Sequence, residues 1–364
     1  MYRKSSIIKI LASIAVGAVA LAGCGGGSSG AGDSTSRPKA PPSVAIATSG
    51  TFITIFAPLW AAQPELDKVA QEYGTTISFT PFGKGGDAQT ALLGGSAQVN
   101  AGTSSSDTAE AAAKAQPLVA AANMFTGGGF VLVGAKKYEA ERGADVAKYG
   151  GGTWGYTAEG SSSMVGTVAI AEHAGLKWTD QKGIALGSIA ASEPALQTGR
   201  VDIAAMDPTS AAKTVANGNG YVVMNTNDAA LFEPVSGTIL GNSIVVTDEF
   251  RAQYPEFTQA VITAFIAGLN KVKNVTDPNA AYALMSPEYQ KAHPNDVQFA
   301  DEWALCQPAF ANTDGTYSAK AIADTLKNTD LSPEQQRSPQ VISLFDNSFV
   351  EAAYKELNIP RQSG

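Results

Sequence analysis

The chain has 364 residues, a net charge of −8 and 16% charged side chains. Its length favours two domains, and a hydrophobic share of 44%, inflated by alanine, still leaves enough apolar residues for sizeable cores. With no basic patch and no RNP- or zinc-type motif, nothing in it points to nucleic acid.

Residues 1–23 read as a targeting segment. Arg3, Lys4 and Lys9 form a basic start, residues 10–20 are apolar, and Leu21-Ala22-Gly23-Cys24 follows. An apolar run this short, ending at a small-residue cleavage site, is a signal peptide and not a mature membrane span. The four-residue spacing resembles the bacterial lipobox, which implies cleavage before Cys24 and acylation of its thiol and new amine. The anchor would then hold the protein on the outer face of the plasma membrane or in the periplasm. Residues 24–41, rich in Gly, Ser and Pro, make a flexible tether. Cys306 is the one thiol left, so no disulfide framework is possible within the chain, and it reads as a buried core thiol.

Beyond the tether the chain alternates strand and helix. Strands are expected at 43–48, 75–82, 97–101 and 117–122, with helices between them from 55 to 74, 88 to 93 and 103 to 115. Residues 130–134 form an apolar crossing. The second series has a helix at 136–148, then strands at 153–156, 183–187, 201–205 and 221–224, with helices from 164 to 174, from Pro194, and at 209–216. A second apolar crossing covers 237–246. The remainder reads as helical: 255–275, 279–285, 298–310, 319–326 and 339–357. Two such series imply two α/β lobes, and two crossings imply a discontinuous first lobe: 42–133 plus 238–364, around a second lobe at 134–237. One frame occurs twice: Ala91-Leu92 to Ala101, and Ala195-Leu196 to Ala205, each with a glycine break before a strand. The copies read as the same helix–glycine–strand unit, one in each lobe.

No catalytic constellation is marked out. His173 and His293 lie far apart without metal-ligand spacing. There is no nucleophile elbow and no phosphate-binding loop ending in Gly-Lys-Ser/Thr. No metal, cofactor or enzymatic activity is expected. Helix N-caps stand out instead. Ser49 to Phe52, Gly85 to Asp87, Thr103 to Ser106, Ser161 to Ser163, and Asp207 to Ser210 all follow a strand and open a helix. Ligands of open α/β sheets bind beyond the carboxyl ends of the strands, and the free N–H groups of a helix start favour an anion. Phe52, Trp60 and Phe82 are candidates for an apolar wall, and Lys84 for a counter-charge.

These stretches together resemble the substrate-binding lipoproteins of ABC importers, of the nitrate/sulfonate/taurine and thiamine-precursor type. The likeness runs through Gly50-Thr51-Phe52, Pro58-Leu59-Trp60, the segment from Gly86 to Leu92, and Gly102-Thr103. It continues in Gly152-Thr153-Trp154-Gly155, Gly160 to Ser163, and Ala195 to Asp207-Pro208, and covers residues 44–274. It implies a two-lobed periplasmic-binding-protein-like (type II) fold with two hinge strands and a helical C-terminal tail. It also implies a monomer that closes on a small ligand and docks on a membrane permease. Matching positions place Thr51, Phe52, Thr103, Ser104, Ser161, Ser162, Ser163 and Asp207 at the cleft; Trp60, Phe82, Lys84 and Asp87 are further candidates on their residue types alone. Two departures stand out: Gln63-Pro64-Glu65 replaces the usual Gly-Phe-Phe, and no arginine falls at a cleft position. The expected ligand is a small organic anion, a sulfonate, nitrate-like or aromatic carboxylate species. The alternatives are a neutral heterocycle such as a pyrimidine or flavin-like ligand, or a ligand-sensing lipoprotein. Thiamine-pyrimidine synthases resemble the same family but depend on a cysteine-rich iron motif, and only Cys24 and Cys306 exist here.

Overall fold

The computed structural model describes residues 39–294 and 297–361. The chain divides after Ser36, and everything described belongs to the unit from Arg37 onward. The targeting segment, Cys24 and nearly all of the tether lie outside the described residues.

Among the described residues, ten strands form two five-stranded sheets. In chain order they are β1 (Ser43–Ser49), β2 (Thr76–Phe82), β3 (Val99–Asn100), β4 (Leu118–Asn123) and β5 (Val131–Ala135). Then follow β6 (Thr153–Tyr156), β7 (Lys182–Ala185), β8 (Ile203–Met206), β9 (Gly220–Asn225) and β10 (Ser243–Thr247). The first sheet has the order β2-β1-β3-β10-β4 and the second β7-β6-β8-β5-β9. Each has a parallel half and an antiparallel half: β1 pairs parallel with β2 and β3, β6 with β7 and β8, while β10 and β5 run antiparallel to their neighbours. β4 and β5 are buried along their whole length, as strands covered on both faces must be, which is why their sequences are continuous apolar runs.

The two copies of the repeated frame occupy the same place. β3 and β8 are the middle strands of their sheets. The Ala97 N–H donates to Ala91 O and the Val201 N–H to Ala195 O; the Gly95 N–H donates to Leu92 O and the Gly199 N–H to Leu196 O. Gly95 and Gly199 both have φ of +74°, the left-handed region that closes a helix end.

Four differences from the expected elements have local causes. Residues 136–148 do not form one helix: Gly143 at φ +53° ends a single turn, Glu139–Arg142, between two 3-10 turns. The tail helix at 339–357 is split into Pro339–Ile342 and Ser348–Leu357, because residues 344–346 pair with Ala120 along the edge of the first sheet. The expected crossings lie inside the sheets. β5 belongs wholly to the second sheet, so Val131 to Val133 stand there and not in the first lobe, and β10 belongs to the first sheet. The links between sheets are the residues just before them, 124–130 and 237–242. They run side by side: the Met124 N–H donates to Asn242 O, the Gly241 N–H to Phe125 O and the Gly127 N–H to Ile239 O, each at 2.8 Å.

The largest core lies under the first sheet, where the helices Ala57–Tyr73 and Pro255–Val272 pack together over Ile46, Val99 and Val246. The second sheet has smaller cores on its two faces, around Trp154 and around Val133. The tail helices mostly cover the first sheet. The helix Val297–Ala311 does more: Phe299, Trp303, Cys306 and Phe310 enter the first core, while Leu305 packs on the second lobe.

Candidate functional site

Four helices begin at one cavity of about 400 Å³. Gly85–Leu93 and Ser105–Ala113 come from the first lobe, Ser162–His173 and Pro208–Ala216 from the second. Three starts are capped by side chains read from sequence. Ser104 Oγ accepts from the Asp107 N–H (3.1 Å), Ser161 Oγ from the Met164 N–H (3.3 Å), and Asp207 Oδ1 from the Ser210 N–H (3.0 Å). Each cap satisfies one helix-start donor and leaves others directed at the cavity. The fourth start, after Lys84, has no side-chain cap.

Close backbone approach builds the first lobe's wall. A Cβ on Gly102 would stand 2.6 Å from Ser49 N and 2.7 Å from Thr48 C, so only glycine lets the end of β3 lie against the end of β1. Asn100 locks this corner. Its Nδ2 donates to Thr103 Oγ1 and Gln89 Oε1, its Oδ1 accepts from the Gly102 N–H, and Thr103 Oγ1 donates to Gly85 O. Thr103 lines the cavity, yet its hydroxyl is used within the wall and it is fully buried.

In the second lobe, Ser161 and Ser163 bond each other and Thr157. The Ser162 hydroxyl, half-exposed between them, makes no hydrogen bond among the described residues. Lys84 lines the cavity and has no carboxylate within ion-pair distance among the described residues. Apolar lining comes from Ile53, Phe56, Phe125, Phe130, Ile189 and Met206.

The cavity is acidic: Asp107, Glu110, Glu159 and Asp207 line it, against Lys84 as the one basic residue in the lining. Glu159 accepts from the Tyr156 hydroxyl (2.6 Å) and Glu110 from the Asp330 N–H (3.2 Å). Asp207 is 7% exposed, and its Oδ2 is buried without a hydrogen-bond partner among the described residues. Burial pushes the Asp207 carboxyl above the usual range, against the bonds it accepts from Ser210, and the charge of Glu302 adds to the rise. Burial likewise pushes Asp107 up to about 7, with Ser104 opposing and Glu110 reinforcing. A carboxyl raised from 3.8 to about 7 costs the folded state stability as pH rises through that window. Asp107→Asn is therefore expected to raise the melting temperature at pH 8 and leave it unchanged below pH 4. Equal melting of the two proteins at both pH values would refute this.

Other expected residues lie elsewhere. Trp60 is 1% exposed; its Nε1 donates to Ile53 O, and its ring packs on Phe52, Phe56, Phe79 and Tyr289. Phe52, at φ +50°, packs on Trp60 at 5.2 Å and not into the cavity. Asp87 is exposed outside it. Thr51 and Phe82 line an adjoining chamber of about 650 Å³, which shares Ile53 and Ile189 with the first. Phe125 and Phe130 form an apolar wall that the sequence signals only indirectly, through the Gly127-Gly128-Gly129 break before Phe130, which marks the link between the sheets. His173 is exposed at its helix end, and His293 stacks on Tyr289 at 4.5 Å. Among the described residues no three His, Cys, Asp or Glu side chains are placed to hold a metal ion, and no helix is long and apolar enough to cross a membrane.

Two sheets of this order, joined by paired links, with helix starts facing a cavity between them, match solved structures over nearly their whole length. The chain has the periplasmic-binding-protein fold. A protein from Bordetella bronchiseptica RB50 aligns at a TM-score of 0.72 with 20% identity, over 87% of this chain and 98% of that one. The periplasmic nitrate-binding protein NrtA from Synechocystis PCC 6803 aligns at 0.67 with 12% identity, over 88% and 90%. The alkanesulfonate-binding protein SsuA from Xanthomonas axonopodis pv. citri, bound to MOPS, aligns at 0.60 with 17% identity, over 86% and 98%. No protein-family profile and no curated protein sequence matches the chain. In binding-protein terms the cavity is the cleft between the lobes, and the links 124–130 and 237–242 form its back.

Proposed function

We propose that the chain is the extracytoplasmic substrate-binding component of an ABC importer, a lipoprotein anchored through Cys24 that captures a small organic anion and presents it to a membrane permease. The observation that carries this reading is the convergence of four helix starts, two from each lobe, on one cavity. Their N–H groups and dipoles favour negative charge, Ser104, Ser161, Ser162 and Ser163 offer small hydroxyl side chains, and Lys84 offers a cation with no ion-pair partner among the described residues. A ligand that touches both lobes stabilises the closed state by its differential affinity, with the paired links as hinge. Thr51 and Phe82, in the adjoining chamber, would meet only a ligand long enough to pass Ile53 and Ile189.

A second reading has its own observation. Four lining carboxylates, and the unpartnered Oδ2 of Asp207, suit a neutral heterocycle that presents an N–H donor. Such a ring would lie against Phe125 and Phe130, since Phe52 and Trp60 are committed to the core. Both readings meet one test: thermal unfolding of the chain lacking residues 1–24, across alkanesulfonates, nitrate, aromatic carboxylates, pyrimidines and flavins. A ligand at a hundred times its dissociation constant adds about 2.7 kcal/mol, so the true class raises the midpoint by several degrees. A midpoint unmoved by every class would count against capture of either kind.

A further inference from the structure

We infer that Thr209 and Glu302, meeting at Thr54, form a latch that sets how readily the cleft closes; this rests on the capture reading. Thr209 belongs to the second lobe, two residues beyond the cavity's Asp207, and Thr54 to the first lobe, next to the cavity's Ile53. The Thr54 N–H donates to Thr209 Oγ1 at 2.9 Å, and Thr209 Oγ1 donates back to Thr54 Oγ1 at 3.0 Å. Thr54 Oγ1 in turn donates to Glu302 Oε2 at 2.5 Å and lies 2.7 Å from the Tyr289 hydroxyl. One hydroxyl hydrogen and two lone pairs account for all of this: Thr54 donates to Glu302 and accepts from Thr209 and Tyr289. Thr54 and Tyr289 are fully buried and Glu302 is 1% exposed.

The sign of the effect comes from the Thr54 backbone. Thr54 opens a 3-10 turn, so its N–H has no partner within that turn, and Ile53 provides no side-chain cap. Its partner comes from the other lobe. Opening the cleft removes that partner and uncovers the Glu302 carboxylate that the cluster shields; closing it completes the set. The same seam holds a second pair of contacts across the lobes: Asn225 Nδ2 and Asn227 Nδ2 both donate to Leu305 O at 3.1 Å. The helix Val297–Ala311 carries Glu302 and Leu305, so the tail segment that packs on the first core is also the strike plate for the second lobe.

The test needs no cargo. Spin labels placed on K68C and K177C, exposed positions on opposite lobes, report the distance between lobes in the chain lacking residues 1–24; Cys306 is buried. Thr209→Val keeps the shape and removes the hydroxyl, and is expected to shift the open-to-closed ratio roughly tenfold toward longer distances. Thr209→Ser is expected to match the parent. Gln298 Nε2 donates to the other Glu302 oxygen, Oε1, at 3.0 Å, so Glu302→Gln turns one acceptor into a donor facing Thr54 or Gln298 and shifts the ratio in the same direction. A valine variant with the parent's distribution overturns the latch, as does a serine variant that opens as far as valine, which would make packing the cause. Unfolding curves of each variant separate opening from misfolding. Because no ligand is used, failure here leaves the capture reading standing, and a blank ligand panel leaves this result standing.

Discussion

Gly268→Ala is expected to lower stability by about 2–3 kcal/mol and the melting temperature by several degrees. In the interior of an exposed helix the same change would stabilise by about 1 kcal/mol. Here the sign reverses, because the helices Ala57–Tyr73 and Pro255–Val272 touch backbone to backbone at this residue. A Cβ on Gly268 would stand 2.3 Å from Pro58 O and 2.7 Å from both the backbone N and the Cβ of Ala62. None of these atoms is the end of a flexible side chain, so relief requires the helices to separate. Separation would loosen the packing around Leu59, Phe265 and Leu269, all buried in the largest core. Gly86→Ala is the control: it also lies in a helix, nothing stands within 4 Å of its added Cβ, and it is expected to be neutral or slightly stabilising. Scanning calorimetry of the two variants beside the parent decides the matter. A Gly268→Ala protein that melts with the parent would mean that the helices do not meet this closely.

Ser162→Asp is expected to weaken binding of an anionic ligand a hundredfold or more. The free Ser162 hydroxyl stands at a helix start inside the cavity. A carboxylate there would both occupy the site's positive end and repel the ligand. At about 5 Å and an effective dielectric constant near 20, two like charges repel by about 3 kcal/mol, and a hundredfold loss is about 2.8 kcal/mol. Titration calorimetry with the compound that raises the melting midpoint gives the ratio directly. The companion change Asp207→Asn separates the two ligand readings. An anion should bind Asp207→Asn at least as well as the parent, because a buried negative neighbour is gone. An N–H donor heterocycle should bind it more weakly and tolerate Ser162→Asp. If neither substitution alters affinity, the ligand does not sit at this cavity.

What the sequence determined by itself is local. Ser104, Ser161 and Asp207 cap helices through bonds to the third residue onward, and such contacts depend only on neighbours in the chain. Gly95 and Gly199 likewise break helices where the backbone must turn left-handed. Because these signals recur at matching places, two α/β lobes and a row of helix starts were legible. Only the tertiary structure decided which side chains those helix starts share a cavity with. Trp60 and Phe130 look alike as apolar aromatics in the sequence. The helix of Trp60 turns its ring into the first core, whereas the link that carries Phe130 runs along the cleft. Asp107 and Glu110 lie on a helix of the first lobe and Glu159 in the second, and only the packing of the lobes brings them to one cavity. The cavity's acidity joins Asp107 and Glu110 of one lobe to Glu159 and Asp207 of the other, and Thr54 bonds Thr209 and Glu302 across 155 and 248 positions. Such contacts are set by how whole elements pack, and no pattern of neighbouring residues encodes them.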